Sequence, residues 1–117
     1  MGRFLLILVC AAAAFQIFGT RDVDAGDPRL KTGTDGVVML SAEWCGYCDA
    51  LRADLKRSGA KFRELDVEND AEGVAAWDAF GANGVPITIV GQRVVHGYDP
   101  DTIKRLMTVA GHRLAKN

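Results

Sequence analysis

The sequence predicts an α/β fold with elements in the order β-α-β-α-β-β-α. Two observations set the class. Short apolar runs of strand length alternate with segments whose apolar residues recur at helical spacing, and glycine or Asp-Pro punctuation separates them. A third observation points to chemistry: Trp44-Cys45-Gly46-Tyr47-Cys48 sits where the first strand gives way to the first helix.

Each element has its own signal. Residues 37–40, Val-Val-Met-Leu, form a continuous apolar run suited to a central strand buried on both faces. Cys48, Leu51 and Leu55 then recur at helical spacing, and Ser58-Gly59 supplies a stop with glycine just past the end. Residues 61–67 carry Phe62, Leu65 and Val67 among charges, as an edge strand would. The first two strands, joined through a helix, should run parallel by a right-handed crossover. Residues 71–80 place Val74, Trp77 and Phe80 near one side of a second helix, with Trp77 expected in the core; Gly81 and Gly84 end it. Residues 85–90 are β-branched, and Gly91-Gln92 turns them back into Arg93-Val94-Val95 as a hairpin. Asp99-Pro100 opens the last helix, with Asp as N-cap and Pro at the first position. Its buried stripe is Ile103, Leu106, Met107, Ala110 and Leu114.

At 117 residues the chain holds one domain. A net charge of -1 removes the basic field expected of a nucleic-acid or anionic-lipid binder. No repeat is present. The N-terminus differs in kind: Arg3 precedes residues 4–18, apolar apart from Gln16. That run is short for a membrane span and suits a signal-peptide core, with cleavage expected after Ala25. Asp22 and Asp24 beside that bond keep an uncleaved anchor as the alternative. The organisation expected is therefore a leader or anchor over residues 1–25, a linker over 26–35 and one domain over 36–117. The product is exported, periplasmic or secreted, or membrane-anchored if the leader is retained. A monomer is expected.

Cys10 lies within the leader, which leaves two cysteines in the mature chain. A bridge spanning two residues closes almost no loop and stabilises little, so reactivity explains the pair better than structural support. At a helix N-terminus the free N–H groups and the positive dipole end stabilise an anion, so an exposed Cys45 should titrate below a free thiol. Cys48, a turn further in, should be shielded. Cys45 would attack a disulfide and Cys48 would resolve the mixed disulfide. Glu43 and Asp49 oppose thiolate formation. No metal or organic cofactor is needed. A metal half-site is the rival, although no second cysteine pair exists and His96 and His112 lack ligand spacing. A redox-inert binding domain is another rival.

Other residues frame the pair. Pro86 either opens an edge strand or follows a cis Val85-Pro86 bond that turns the Val85 backbone toward the cysteines, where an extended substrate could pair with it. Trp44 and Tyr47 flank Cys45 as an apolar rim or as loop anchors, with Tyr47 expected to point outward. His96, Gly97 and Tyr98 end the hairpin near the cysteine end of the sheet, with His96 expected as a solvated loop residue.

Cys-Gly-Tyr-Cys, Val85-Pro86 and Gly97-Tyr98-Asp99 together carry a resemblance. From about residue 36 to Leu114 the chain resembles the glutaredoxin branch of the thioredoxin-like superfamily. The resemblance implies a four-stranded mixed sheet flanked by helices, a cis bond before Pro86, and dithiol-disulfide exchange through Cys45 and Cys48. Tyr47, Val85 and Asp99 match positions that contact glutathione in that family, which makes glutathione a candidate co-substrate. The family commonly has Lys ahead of the motif, Thr before Val-Pro and a Gly-Gly pair after the fourth strand. Here those places hold Ala42-Glu43, Gly84 and His96-Gly97. The stretch from Gly97 to Asp101 is similar to glutaredoxin-like hydrogen donors of ribonucleotide reductase. Trp44-Cys45-Gly46 is similar to thioredoxin, and Cys-Gly-Tyr-Cys occurs in periplasmic disulfide isomerases. The expected function is a thiol-disulfide oxidoreductase acting on protein disulfides outside the cytoplasm, with an unidentified electron donor. A glutathione-dependent enzyme behind an uncleaved anchor is the alternative. Trp44, Tyr47, Val85, Pro86, Gly97, Tyr98 and Asp99 are the expected substrate contacts.

Overall fold

The computed structural model describes residues 25–115. The leader segment before them, its cleavage signal and Cys10 lie outside the described residues. The elements are α1 (Arg29–Thr32), β1 (Val37–Ser41), α2 (Gly46–Arg57), β2 (Arg63–Asp66), α3 (Ala71–Ala79), β3 (Ile87–Val90), β4 (Arg93–His96) and α4 (Pro100–Val109). The strands form one sheet in the order β2-β1-β3-β4, with β1 and β2 parallel and the other two pairings antiparallel. This is the four-stranded mixed sheet flanked by helices that the sequence predicts.

The apolar run of β1 earns its central place. All five of its residues are buried, and Leu40 stands between Leu65 of β2 and Ile87 of β3. At the edge, β2 buries Leu65 and exposes Arg63 and Glu64. Cys48, Leu51 and Leu55 of α2 are fully buried, as their spacing requires. Gly59, at a φ of 74°, donates to Lys56 O while Ala60 N donates to Leu55 O. This pair of reversed bonds satisfies the last carbonyls of the helix, and only glycine adopts that φ without strain. The same device closes α3 and α4. Asp99 caps α4 through its carboxylate, which accepts from Thr102 N at 3.2 Å, and Pro100 follows as predicted. Between α2 and α4, Lys104 Nζ meets the buried Asp54 carboxylate at 3.2 Å.

Four expectations are corrected. The face α3 buries is Gly73 and Ala76, whereas Val74 is exposed and Trp77 and Phe80 are half-buried. The helix lies so close to the end of β2 that a Cβ on Gly73 would stand 2.1 Å from Asp66 O. Small residues must face the sheet there, and the large ones are pushed to the flank. The second correction concerns α4, which ends at Val109; Ala110 and Leu114 reach the core from the chain beyond it. Third, residues 26–35, expected as a linker, carry α1. Thr32 Oγ1 donates to Gly91 O, and Gln92 Nε2 donates to Arg29 O at 2.9 Å and Gly33 O at 2.7 Å. The β3–β4 turn thus satisfies the backbone of a segment too short to show a period. Fourth, the third strand begins at Ile87, two residues later than expected, because Val85 and Pro86 form the turn ahead of it. Since β3 is interior, the edge-strand reading of Pro86 falls.

Candidate active site

Strand β1 delivers the chain into the cysteine motif, and Cys45 N donates back to Ala42 O at 3.1 Å. Cys45 is the N-cap of α2, in extended conformation, and its Sγ accepts the Cys48 N–H at 3.1 Å. Sulfur takes the place that a serine or aspartate oxygen fills at most helix starts. Cys45 and Cys48 are joined in a disulfide with their Cα atoms 5.2 Å apart. Once reduced, a Cys45 sulfur at this position meets a backbone donor and the positive end of the helix, both of which favour the thiolate. Cys48 is fully buried, as expected of the inner partner. The expected exposure of Cys45 is corrected: it is only 5% exposed, since the same cap bond that favours its anion draws its sulfur down onto the helix end.

The Val85-Pro86 bond is cis, and Val85 O lies 3.9 Å from Cys45 Sγ. Gly97 N donates to Pro86 O at 2.8 Å and ties the end of β4 to the start of β3. Tyr98 then meets Tyr47, ring centroids 5.9 Å apart and planes tilted by 38°. Tyr47, Val85, Pro86, Gly97 and Tyr98 line a cavity of about 410 Å³ beside the disulfide. Five of the seven expected substrate contacts therefore converge. Trp44 and Asp99 lie outside that lining: Asp99 is occupied as the α4 cap, and Trp44, 71% exposed, donates its indole N–H to Glu68. His96 is exposed at the end of β4, paired opposite Ile87, and does not line the cavity. Tyr47 points outward as predicted, at 69% exposure.

Electrostatics at the helix start depend on contacts that the motif does not advertise. Asp49, expected to oppose the thiolate, is held by Arg52 at 2.8 Å, so much of its field is cancelled. Arg52 also clamps Glu64 on β2, and Ser41 Oγ donates to Glu64 at 2.7 Å. The Arg52 guanidinium holds the Glu64 carboxyl below its ordinary range, outweighing the opposing effect of burial. Sequence reasoning missed both Glu68 and Glu64. No local signal marks either one, because their partners lie 24 and 12 residues away. Among the described residues, no group of three or more His, Cys, Asp or Glu is arranged to hold a metal ion.

Known proteins resemble this chain in sequence and in fold. The family model for glutaredoxin matches residues 37–95, from the start of β1 almost to the end of β4. A glutaredoxin from Ricinus communis is 32% identical over 91 residues, a match covering 67% of this chain and 87% of that protein. The solved structure of NrdH-redoxin from Escherichia coli, a glutaredoxin-like protein with a thioredoxin-like activity profile, superposes with a TM-score of 0.54. That match is 27% identical and covers 60% of this chain and 92% of that one. Buckwheat glutaredoxin in complex with glutathione shares the fold, with a TM-score of 0.59 at 21% identity, over 74% of this chain and 88% of that one.

Proposed function

This chain belongs to the glutaredoxin family and is a thiol-disulfide oxidoreductase, and on that premise we propose that Cys45 is its nucleophile and Cys48 its resolving thiol, acting on protein disulfides outside the cytoplasm. The observation carrying the assignment of roles is the asymmetry of the pair. Cys45 caps the helix and adjoins the cavity through Val85, whereas Cys48 is sealed one turn inside.

In the reducing direction the Cys45 thiolate attacks one sulfur of the substrate disulfide. The Cys45–substrate S–S bond forms, and the other substrate sulfur leaves as a thiolate that takes up a proton. Cys48, losing its own proton, then attacks the Cys45 sulfur and expels the second substrate thiol. Two electrons and two protons pass to the substrate, and the Cys45–Cys48 disulfide is restored. The cavity supports an apolar or aromatic side chain next to the attacked sulfur. Backbone groups around Val85 support an extended segment. The apolar run of residues 4–18 and the small residue at Ala25 support export.

Two measurements test the reading. Cys48→Ser should accumulate a mixed disulfide with a protein substrate such as insulin, while Cys45→Ser should form none and lose all exchange. Adducts on Cys48 in the Cys45→Ser protein would reverse the roles. N-terminal sequencing of protein recovered from an exported fraction should begin at Gly26; an intact Met1 would favour the retained anchor. Glutathione is the second reading for the co-substrate. What favours it is Tyr47 and Val85 together in one cavity beside the cysteine.

A further inference from the structure

We propose that this site selects disulfides carrying positive charge next to the attacked sulfur, in preference to anionic ones such as oxidised glutathione. The inference deepens the reading of Cys45 as nucleophile and rests on it. The site is the disulfide with its cavity; the charge around it decides what enters.

Four stretches of chain build that end of the molecule. They are the motif and first turn of α2 (residues 42–51), the end of β2 and the loop after it (65–70), the turn into β3 (84–87) and the loop into α4 (96–103). Together they hold seven Asp or Glu residues and not one Lys or Arg. Some of this charge is spent, since Asp49 is matched by Arg52. Among the described residues, three exposed carboxylates on these stretches form no salt bridge: Glu43, Glu68 and Asp101. Glu43 stands two residues before Cys45. Glu68 accepts a neutral indole N–H from Trp44 and so keeps its charge against the motif. Asp101 lies in the first turn of α4, three residues after the Tyr98 that walls the cavity.

The other end of β1 is mixed in charge. Lys31, Lys61 and Arg63 line a cavity of about 450 Å³ there together with Asp35, Gly36 and Val37, and Glu72 pairs with both Lys31 and Arg63. The unmatched acidic charge along β1 therefore lies at the redox end. Charges within a Debye length, about 8 Å at physiological salt, act on an arriving ligand with little screening, and such fields change encounter rates by roughly tenfold to a thousandfold. Glutathione brings two carboxylates and one ammonium per tripeptide, so it arrives against this field. A protein disulfide flanked by Lys or Arg arrives with it.

The test uses pre-reduced protein in single turnover, so that no outside reductant is needed. Each turnover oxidises Cys45 and Cys48 to their disulfide and converts one small disulfide to two thiols; an acid quench precipitates the protein, and the small thiols left in the supernatant are counted. Three probes differ in charge: cystamine (cationic), bis(2-hydroxyethyl) disulfide (neutral) and oxidised glutathione (anionic). At low salt, cystamine should react at least about fivefold faster than oxidised glutathione once each rate is divided by its own value in about 0.5 M salt. In the Glu43→Lys/Asp101→Lys double variant the ratio of cystamine to neutral-probe rates should fall at least about threefold, with a matching rise for oxidised glutathione. Taking ratios to the neutral probe cancels any change in Cys45 reactivity, and the thiolate's own charge is common to both proteins. Equal salt dependence for the cationic and anionic probes, or an unchanged ratio in the double variant, would overturn the selectivity. Failure to oxidise the pair with the neutral probe would sink the nucleophile assignment itself, a result distinct from charge-blind turnover.

Discussion

Thr88 places a hydroxyl in the middle of an apolar sheet. It is fully buried on the interior strand β3, opposite Met39 and Val95, and its Oγ1 has no hydrogen-bond partner among the described residues. A buried hydroxyl without a partner forfeits its hydration, a cost of about 1–3 kcal/mol, whereas an isosteric methyl has none to lose. Thr88→Val should therefore raise stability by about 1 kcal/mol, seen as a higher urea midpoint at unchanged slope. A lower midpoint would mean the hydroxyl is satisfied in solution. At the cysteines, the residue scale explains why identity matters so much. Cys45 is at once N-cap, disulfide partner and neighbour of Val85 O, so one sulfur joins helix start, redox couple and cavity.

Contacts between elements turn on how closely they approach. Gly73 lets α3 settle against the end of β2, where a Cβ would meet Asp66 O at 2.1 Å. Helix propensity alone favours Gly73→Ala by about 1 kcal/mol. The clash is with backbone, which cannot swing aside, so the substitution should instead destabilise by about 1–3 kcal/mol, measured by urea unfolding. The α2–β2 contact is electrostatic. Arg52 joins Asp49 on its own helix to Glu64 on the strand and holds Glu64 below its ordinary value of 4.5. A carboxyl depressed in the folded state binds its proton more readily when unfolded. Its stabilisation is thus complete above 4.5 and is lost as the pH falls through the lower folded value. Glu64→Gln should narrow the stability difference between about pH 7 and about pH 3, in urea titrations at both. An unchanged difference would show the clamp to be without thermodynamic consequence.

Over the whole molecule, four carboxylates share that direction. Asp27 is held down chiefly by its hydrogen bond from Arg29, Asp66 by the Glu68 backbone N–H, Glu72 by Arg63 and Glu64 by Arg52. All four favour the folded state when ionised, so stability should fall as the pH drops through and below the ordinary carboxylate range, and thermal midpoints should rise from there toward neutrality. A midpoint that climbed as the pH fell through that range would contradict every one of these pairings. The element order, the helix caps at Asp99-Pro100 and Ser58-Gly59, the hairpin at Gly91-Gln92 and the redox pair at a strand-helix junction were all legible along the chain. Each is written in residues a few positions apart, where periodicity and capping chemistry act. The face of α3 was not legible, because close approach to a distant strand overrode the apolar pattern. Nor was α1, whose single turn is satisfied by Gln92 and Gly91 some sixty residues on. By itself the sequence determined the fold class and the two sulfurs. Only tertiary structure decided what else surrounds them: Tyr98 against Tyr47, Glu68 on the Trp44 indole and Arg52 on Glu64. The physical reason is that each of these joins segments brought together by closure of the sheet, and no spacing along a chain encodes a contact that exists only after that closure.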